Sequence, residues 1–172
     1  MAFKKNLQTK QGHNRKGKRL FCGEQMEIKF MKLAIKQALK AEKLDEVPIG
    51  AVIVKDGKVI ARAHNLMEKT QMATAHAEIL AINKACKKLK SWRLDGAEIY
   101  VTIEPCAMCA GAIVNARIKK VYFGAYEKKS GCAESKFSVL TDSGLNHKTE
   151  FVGGLEQETC ANIIKNYFKG KR

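Results

Sequence analysis

The chain has 172 residues, the size of one domain, and its 45% hydrophobic and 28% charged content excludes a compositionally disordered protein. Its longest apolar runs, such as Cys106–Val114, fall far short of the ~18–20 residues that a membrane span requires. A net charge of +15 points to polyanionic partners, although a lysine-rich proteome alone gives similar totals.

Residues 1–23 are poor in apolar side chains, and residues 1–25 hold Lys4, Lys5, Lys10, Arg15, Lys16, Lys18 and Arg19 against Glu24. Such a segment reads as a flexible basic arm ahead of a folded domain over 24–172. It carries no apolar secretion signal, and Met26 would also serve as a start. Six cysteines without such a signal imply a reducing, cytoplasmic setting and thiolate chemistry. From Gln25, the spacing of Ile28, Met31, Ile35, Ala38 and Leu39 predicts a helix to about Glu42. Two apolar runs, Ile49–Val54 and Val59–His64, flank Asp56-Gly57 and predict a hairpin. A polar loop over Asn65–Met72 then leads to a helix from about Ala75 to Leu89.

Ala97–Ile103 lacks polar alternation, as in a strand covered on both faces. Pro105 suits the first turn of a buried helix over Cys106–Ala116. Val121–Gly124 predicts a short strand, Ala125–His147 an irregular stretch, Glu150–Gly153 an edge strand and Glu156–Phe168 a terminal helix. Strands alternating with helices after the hairpin imply an α/β fold, a largely parallel sheet with one antiparallel strand and helices on both faces.

Two segments look built for one metal site. His76-Ala77-Glu78 opens the second long helix, and Pro105-Cys106-Ala107-Met108-Cys109 opens the third. Positions three apart return to one side of a helix, so Cys106 and Cys109 can present both sulfurs to one ion. Helix N-termini favour thiolate over thiol, as ligation requires. Three protein ligands, His76, Cys106 and Cys109, leave one tetrahedral position for a water whose pKa zinc brings towards ~7, the arrangement of a catalytic site. Glu78, two residues from the histidine, reaches that water as general acid and base. Other readings stay open: a Cys-x-x-C at a helix start also suits a thioredoxin-like redox pair, and a structural zinc completed by Cys22 or His64 would suit an RNA-binding module. An acid poised beside an open position favours turnover. His-x-Glu followed by Pro-Cys-x-x-Cys is the signature of zinc nucleobase deaminases.

On these residues the chain resembles the cytidine-deaminase superfamily and, within it, the bacterial tRNA-specific adenosine deaminases, over roughly Met26–Arg172. Similar stretches are Val47–Val52, Thr74–Ile79, Glu104–Ala112, Val121–Ala125 and Asn146-His147; the last two, with the basic terminal helix, favour the tRNA branch over deaminases of free bases or nucleosides. The resemblance implies a three-layer α/β/α sandwich around a mixed five-stranded sheet, one zinc per subunit, a homodimer, and conversion of adenosine to inosine at the wobble position of a tRNA anticodon stem-loop. It also implies that Asn65 hydrogen-bonds the nucleoside, that the Ala77 amide contacts the base, and that Glu127 and Asn146 contact the RNA. Glu134 stands where the family has a small residue, and the arm has no recognised counterpart.

Overall fold

The computed structural model describes residues 12–13, 19–20, 22–141 and 144–171. The arm expected over 1–23 falls mostly outside them. Where it is described, β1 (Gly12–His13) pairs antiparallel with β2 (Arg19–Leu20), a pairing for which the sequence carries no apolar signal. Helix α1 (Cys22–Glu42) starts three residues before the predicted Gln25.

The main sheet opens with β3 (Gly50–Lys55) and β4 (Lys58–His64), joined by Asp56 and Gly57 at φ 49° and 69°. Positive φ at both central residues is the type I′ arrangement whose twist matches flanking strands. Then come α2 (Met67–Thr70), α3 (Ala77–Leu89), β5 (Glu98–Ile103), α4 (Ala107–Asn115), β6 (Lys120–Ala125), β7 (Glu150–Val152) and α5 (Gln157–Lys169). The spatial order is β4-β3-β5-β6-β7. β3 runs antiparallel to both neighbours, while β5, β6 and β7 are mutually parallel, so one antiparallel strand interrupts the sheet as the element order predicts.

Strand alternation divides the core in two. Ala51, Ile53, Ile99, Val101, Val121 and Phe123 face one side and pack with Ala77, Ala81, Ile82 and Ala85 of α3 and Ala110, Ile113 and Val114 of α4. Val52, Val54, Tyr100 and Tyr122 face the other side with Phe30, Met31 and Ala34 of α1 and Cys160 of α5. The layers are therefore helix, five-stranded mixed sheet, helix. α1 lies so close to β3 that a Cβ at Gly50 would meet the backbone of Ala34 and Ala38. Tyr100 and Tyr122 stack with ring centroids 4.6 Å apart, worth about 0.5–1.5 kcal/mol beyond their burial.

Two sequence expectations need correction. The loop expected over Asn65–Met72 contains α2, a single turn. Pro105 is not in the first turn of α4: the helix begins at Ala107, with Cys106 as its N-cap in extended conformation (φ −74°, ψ 173°). A cap residue stays outside helical φ and ψ, which pushes the proline one place further out. No helix among the described residues is long and apolar enough to cross a membrane.

Candidate active site

Both metal-site segments turn from an extended approach into a helix at the ligand itself. His76 caps α3 at φ −70°, ψ 151°, as Cys106 caps α4, and α3 and α4 pack against each other on the same face of the sheet. The carbonyls of His76 and Cys106 accept the first helical bonds, from Leu80 (3.0 Å) and Ala110 (2.8 Å). Two helix N-termini thus converge on one point.

There, His76 Nδ1 lies 3.5 Å from Cys109 Sγ and 3.8 Å from Cys106 Sγ, and the three ligand atoms lie within 4.8 Å of one another. Bonds of about 2.0–2.1 Å to nitrogen and about 2.3 Å to sulfur at tetrahedral angles require nitrogen–sulfur edges of about 3.5 Å. The side chains therefore fit a zinc-sized ion in shape and in donor chemistry. Hydrogen bonding from Cys109 and His76 pulls the Cys106 thiol down to about 4, whereas its bond to Cys106 and its burial push Cys109 up. His76 is raised, first by its bond to Cys106. One sulfur is ready as thiolate, and the second gives up its proton on ligation.

Glu78 stands in the first turn of α3, 2% exposed. Its Oε2 has no hydrogen-bond partner, and burial raises its pKa. An unpartnered buried carboxylate oxygen is costly, and this one is open to a group outside the chain. Ala77 is fully buried as the first residue of α3, and its N–H has no acceptor within the helix.

Asn65 ends the hairpin and is 2% exposed. Its neighbour Leu66 donates to the Ala75 carbonyl at 3.1 Å, which ties this corner to the residue before His76. Glu127 is half-buried in the loop after β6, and its Oε1 accepts from the Lys129 N–H at 2.8 Å. The structure brings His76, Ala77, Glu78, Cys106 and Cys109 together and links the Asn65 corner to them through the Leu66–Ala75 hydrogen bond. Asn146 stands apart: it is exposed, and its carbonyl accepts from Arg117 Nη1 at 2.5 Å, beyond the far end of α4.

Two buried carboxylates escaped the sequence reading. Glu46 accepts from Asn65 Nδ2 and from two backbone amides of α2. Glu104, 2% exposed, gathers the N–H groups of Glu127, Ala133, Glu134 and Ser135 and the Ser135 hydroxyl. Cys132 N–H also donates to the Pro105 carbonyl at 2.8 Å, so the loop after β6 is fastened to the turn that bears Cys106. A Cβ at Gly131 would collide with the Glu104 carboxylate. The sequence held Glu104 only as the first residue of the family-like stretch Glu104–Ala112, with no sign of its partners at 127–135.

Fold and site together define a deaminase of the cytidine-deaminase-like class, and residues 25–172 match the MafB19-like deaminase family. The tRNA-specific adenosine deaminase of Bacillus subtilis (strain 168) is 51% identical over 143 residues, covering 83% of this chain and 89% of that protein. A solved structure from studies of A-to-I editing by tRNA:A34 deaminases at the wobble position superposes with a TM-score of 0.76 at 46% identity, over 78% of this chain and 98% of that one. On these matches the chain belongs to the tRNA-specific adenosine deaminase family. It is accordingly a hydrolase acting on a C–N bond. Similarity extends to a guanine deaminase of Bacillus subtilis, with a TM-score of 0.56 and 42% identity over 63% of this chain and 69% of that one.

Proposed function

We propose that this chain converts adenosine to inosine at the wobble position of a tRNA anticodon loop, with one zinc ion per subunit held by His76, Cys106 and Cys109. The observation that carries the reading is the buried Glu78 carboxylate, whose Oε2 has no hydrogen-bond partner, beside a cluster of three side chains able to hold a metal. Zinc, when bound, supplies Lewis-acid activation of the water that hydrolyses the C–N bond. Glu78 takes a proton from that water and delivers it to the purine ring beside the attacked carbon. A second proton passes through the same carboxylate to the departing amine. Adenosine and water thus leave as inosine and ammonia.

Asn65 and the Ala77 amide hold the base while this happens. Glu127, and Asn146 further out, contact the RNA around it. The target nucleotide must leave its stack to enter the pocket, at a cost of a few kcal/mol that is smallest in a single-stranded loop. Contacts between lysine or arginine side chains and phosphates offset that cost. The net charge of +15 supports a polyanionic substrate over a free base. We place the enzyme in the cytoplasm, in keeping with its six cysteines, and as a homodimer, a reading that rests on the family resemblance.

A second reading, deamination of free guanine, is favoured by the likeness to the guanine deaminase structure. One experiment separates the two. The zinc-loaded protein is incubated with an anticodon stem-loop bearing adenosine at the wobble position and, in parallel, with adenosine, guanine and cytosine. Inosine in the RNA with little ammonia from the free bases is the expected result. Turnover of guanine with an untouched stem-loop would replace this reading with the second.

A further inference from the structure

An asparagine amide can be turned either way about its last bond, so a pocket that reads a base with one needs something to fix which edge is oxygen. At Asn65 that fixing group is Glu46. Its side chain is fully buried in the turn after α1. Oε2 accepts from Asn65 Nδ2 at 3.1 Å and from the Glu68 N–H at 3.2 Å, and Oε1 accepts from the Lys69 N–H at 2.7 Å. A carboxylate flanked by two amide donors has only acceptor character, so the flipped asparagine would set oxygen against oxygen in a buried place.

The same contacts hold the backbone around the amide. Glu68 and Lys69 lie in the single turn of α2, whose own cap residue, Leu66, makes no capping side-chain bond. Glu46 supplies that service from across the fold. Asn65 N–H donates to the Ile49 carbonyl at 3.0 Å, and Leu66 N–H to Ala75, so the corner is pinned on three sides beside His76.

We propose that Glu46 is a positioning residue for the deamination: it locks the amide of Asn65 in one orientation and so sets the donor and acceptor pattern that the pocket shows to the nucleobase. This rests on the reading that Asn65 holds the base. With one Nδ2 hydrogen given to Glu46, the substrate meets Oδ1 and the other Nδ2 hydrogen. Without the lock both orientations populate. Ground state and transition state lose the same contact, which raises KM and leaves kcat nearly unchanged.

The test is a double-mutant cycle in the zinc-loaded full chain, with the anticodon stem-loop as substrate. Glu46→Gln should raise KM about tenfold, the size expected for loss of a charge-assisted hydrogen bond, with kcat held within about twofold. In an Asn65→Ala background the same change should alter KM by less than about twofold, since its target is gone. Equal, multiplying effects in the two backgrounds, or a loss of kcat with KM unmoved, would overturn the assignment. Should Glu46→Gln fail to fold, the unmutated protein serves. Its Asn65 side-chain amide, assigned in NMR spectra by its disappearance in Asn65→Ala, should show one Nδ2 proton protected from solvent exchange. Rapid exchange of both protons would overturn the lock. That readout needs no substrate, so a wild-type protein that ignores the stem-loop would count against the proposed function and leave this one standing.

Discussion

Glu78 separates binding from turnover. The side chain is buried, its Oε2 has no partner, and it is not one of the three proposed ligands. Glu78→Gln keeps the volume and removes the exchangeable charge, so metal content and RNA affinity should persist while kcat falls about 10²–10⁴-fold, the usual worth of a positioned acid–base. Retained turnover, measured by inosine formed in the RNA, would end the proton-transfer role. His64 supports a prediction of another kind. Burial is the first cause that lowers its pKa, followed by Lys84 and Lys40, and its Nδ1 is buried without a partner. A depressed histidine pKa means the unfolded chain takes up a proton that the folded chain refuses. Stability therefore falls as pH drops through about 6.5, the unfolded value, and stops falling below the folded one. Thermal melts from pH 7 to pH 5 should show a smaller loss of Tm in His64→Gln than in the parent.

Among elements, the three proposed ligands stand at the mouths of α3 and α4, so an ion there would join two helices that share one apolar core with Ala77, Ala81 and Ala110. Cys106→Ala should release the metal and lower Tm together, because binding to the folded form alone contributes to stability. Unchanged zinc content would remove Cys106 from the set. The elements themselves were largely readable from local pattern: β3, β4 and β5 announce themselves by apolar runs and the hairpin by Asp56-Gly57, and the spacing of His76, Cys106 and Cys109 anticipates a cluster able to hold a metal. What stayed hidden depends on pairing across the fold. Glu46 meets Asn65, and Glu104 meets residues 127–135, at separations where no periodicity operates. In a sequence, a carboxylate surrounded by backbone amides looks the same as one in solvent. The early start of α1 and the single turn of α2 were hidden for a related reason, since tertiary contacts and not propensity hold short or terminal turns.

At the scale of the whole molecule, a charge of +15 makes association with RNA an ionic event. Raising salt from about 50 to about 200 mM should weaken stem-loop binding about tenfold or more, while turnover of a free nucleoside changes little. Equal responses in the two assays would show that phosphate contacts contribute nothing. The order β4-β3-β5-β6-β7 sets β5 at the centre, so the turn that follows it, with Pro105 buried and Cys106 half-buried, leaves from the middle of the sheet.

That turn has a second tenant. Through Glu104 and the Pro105 carbonyl it also fastens the segment after β6, so an ion held by Cys106 would also steady this strap. Stripping the ion with a chelator should loosen the strap and leave the sheet intact. Brief trypsin digestion would then nick the chain first at Lys128, Lys129 or Lys136, converting the loss of one ion into a pair of fragments on a gel.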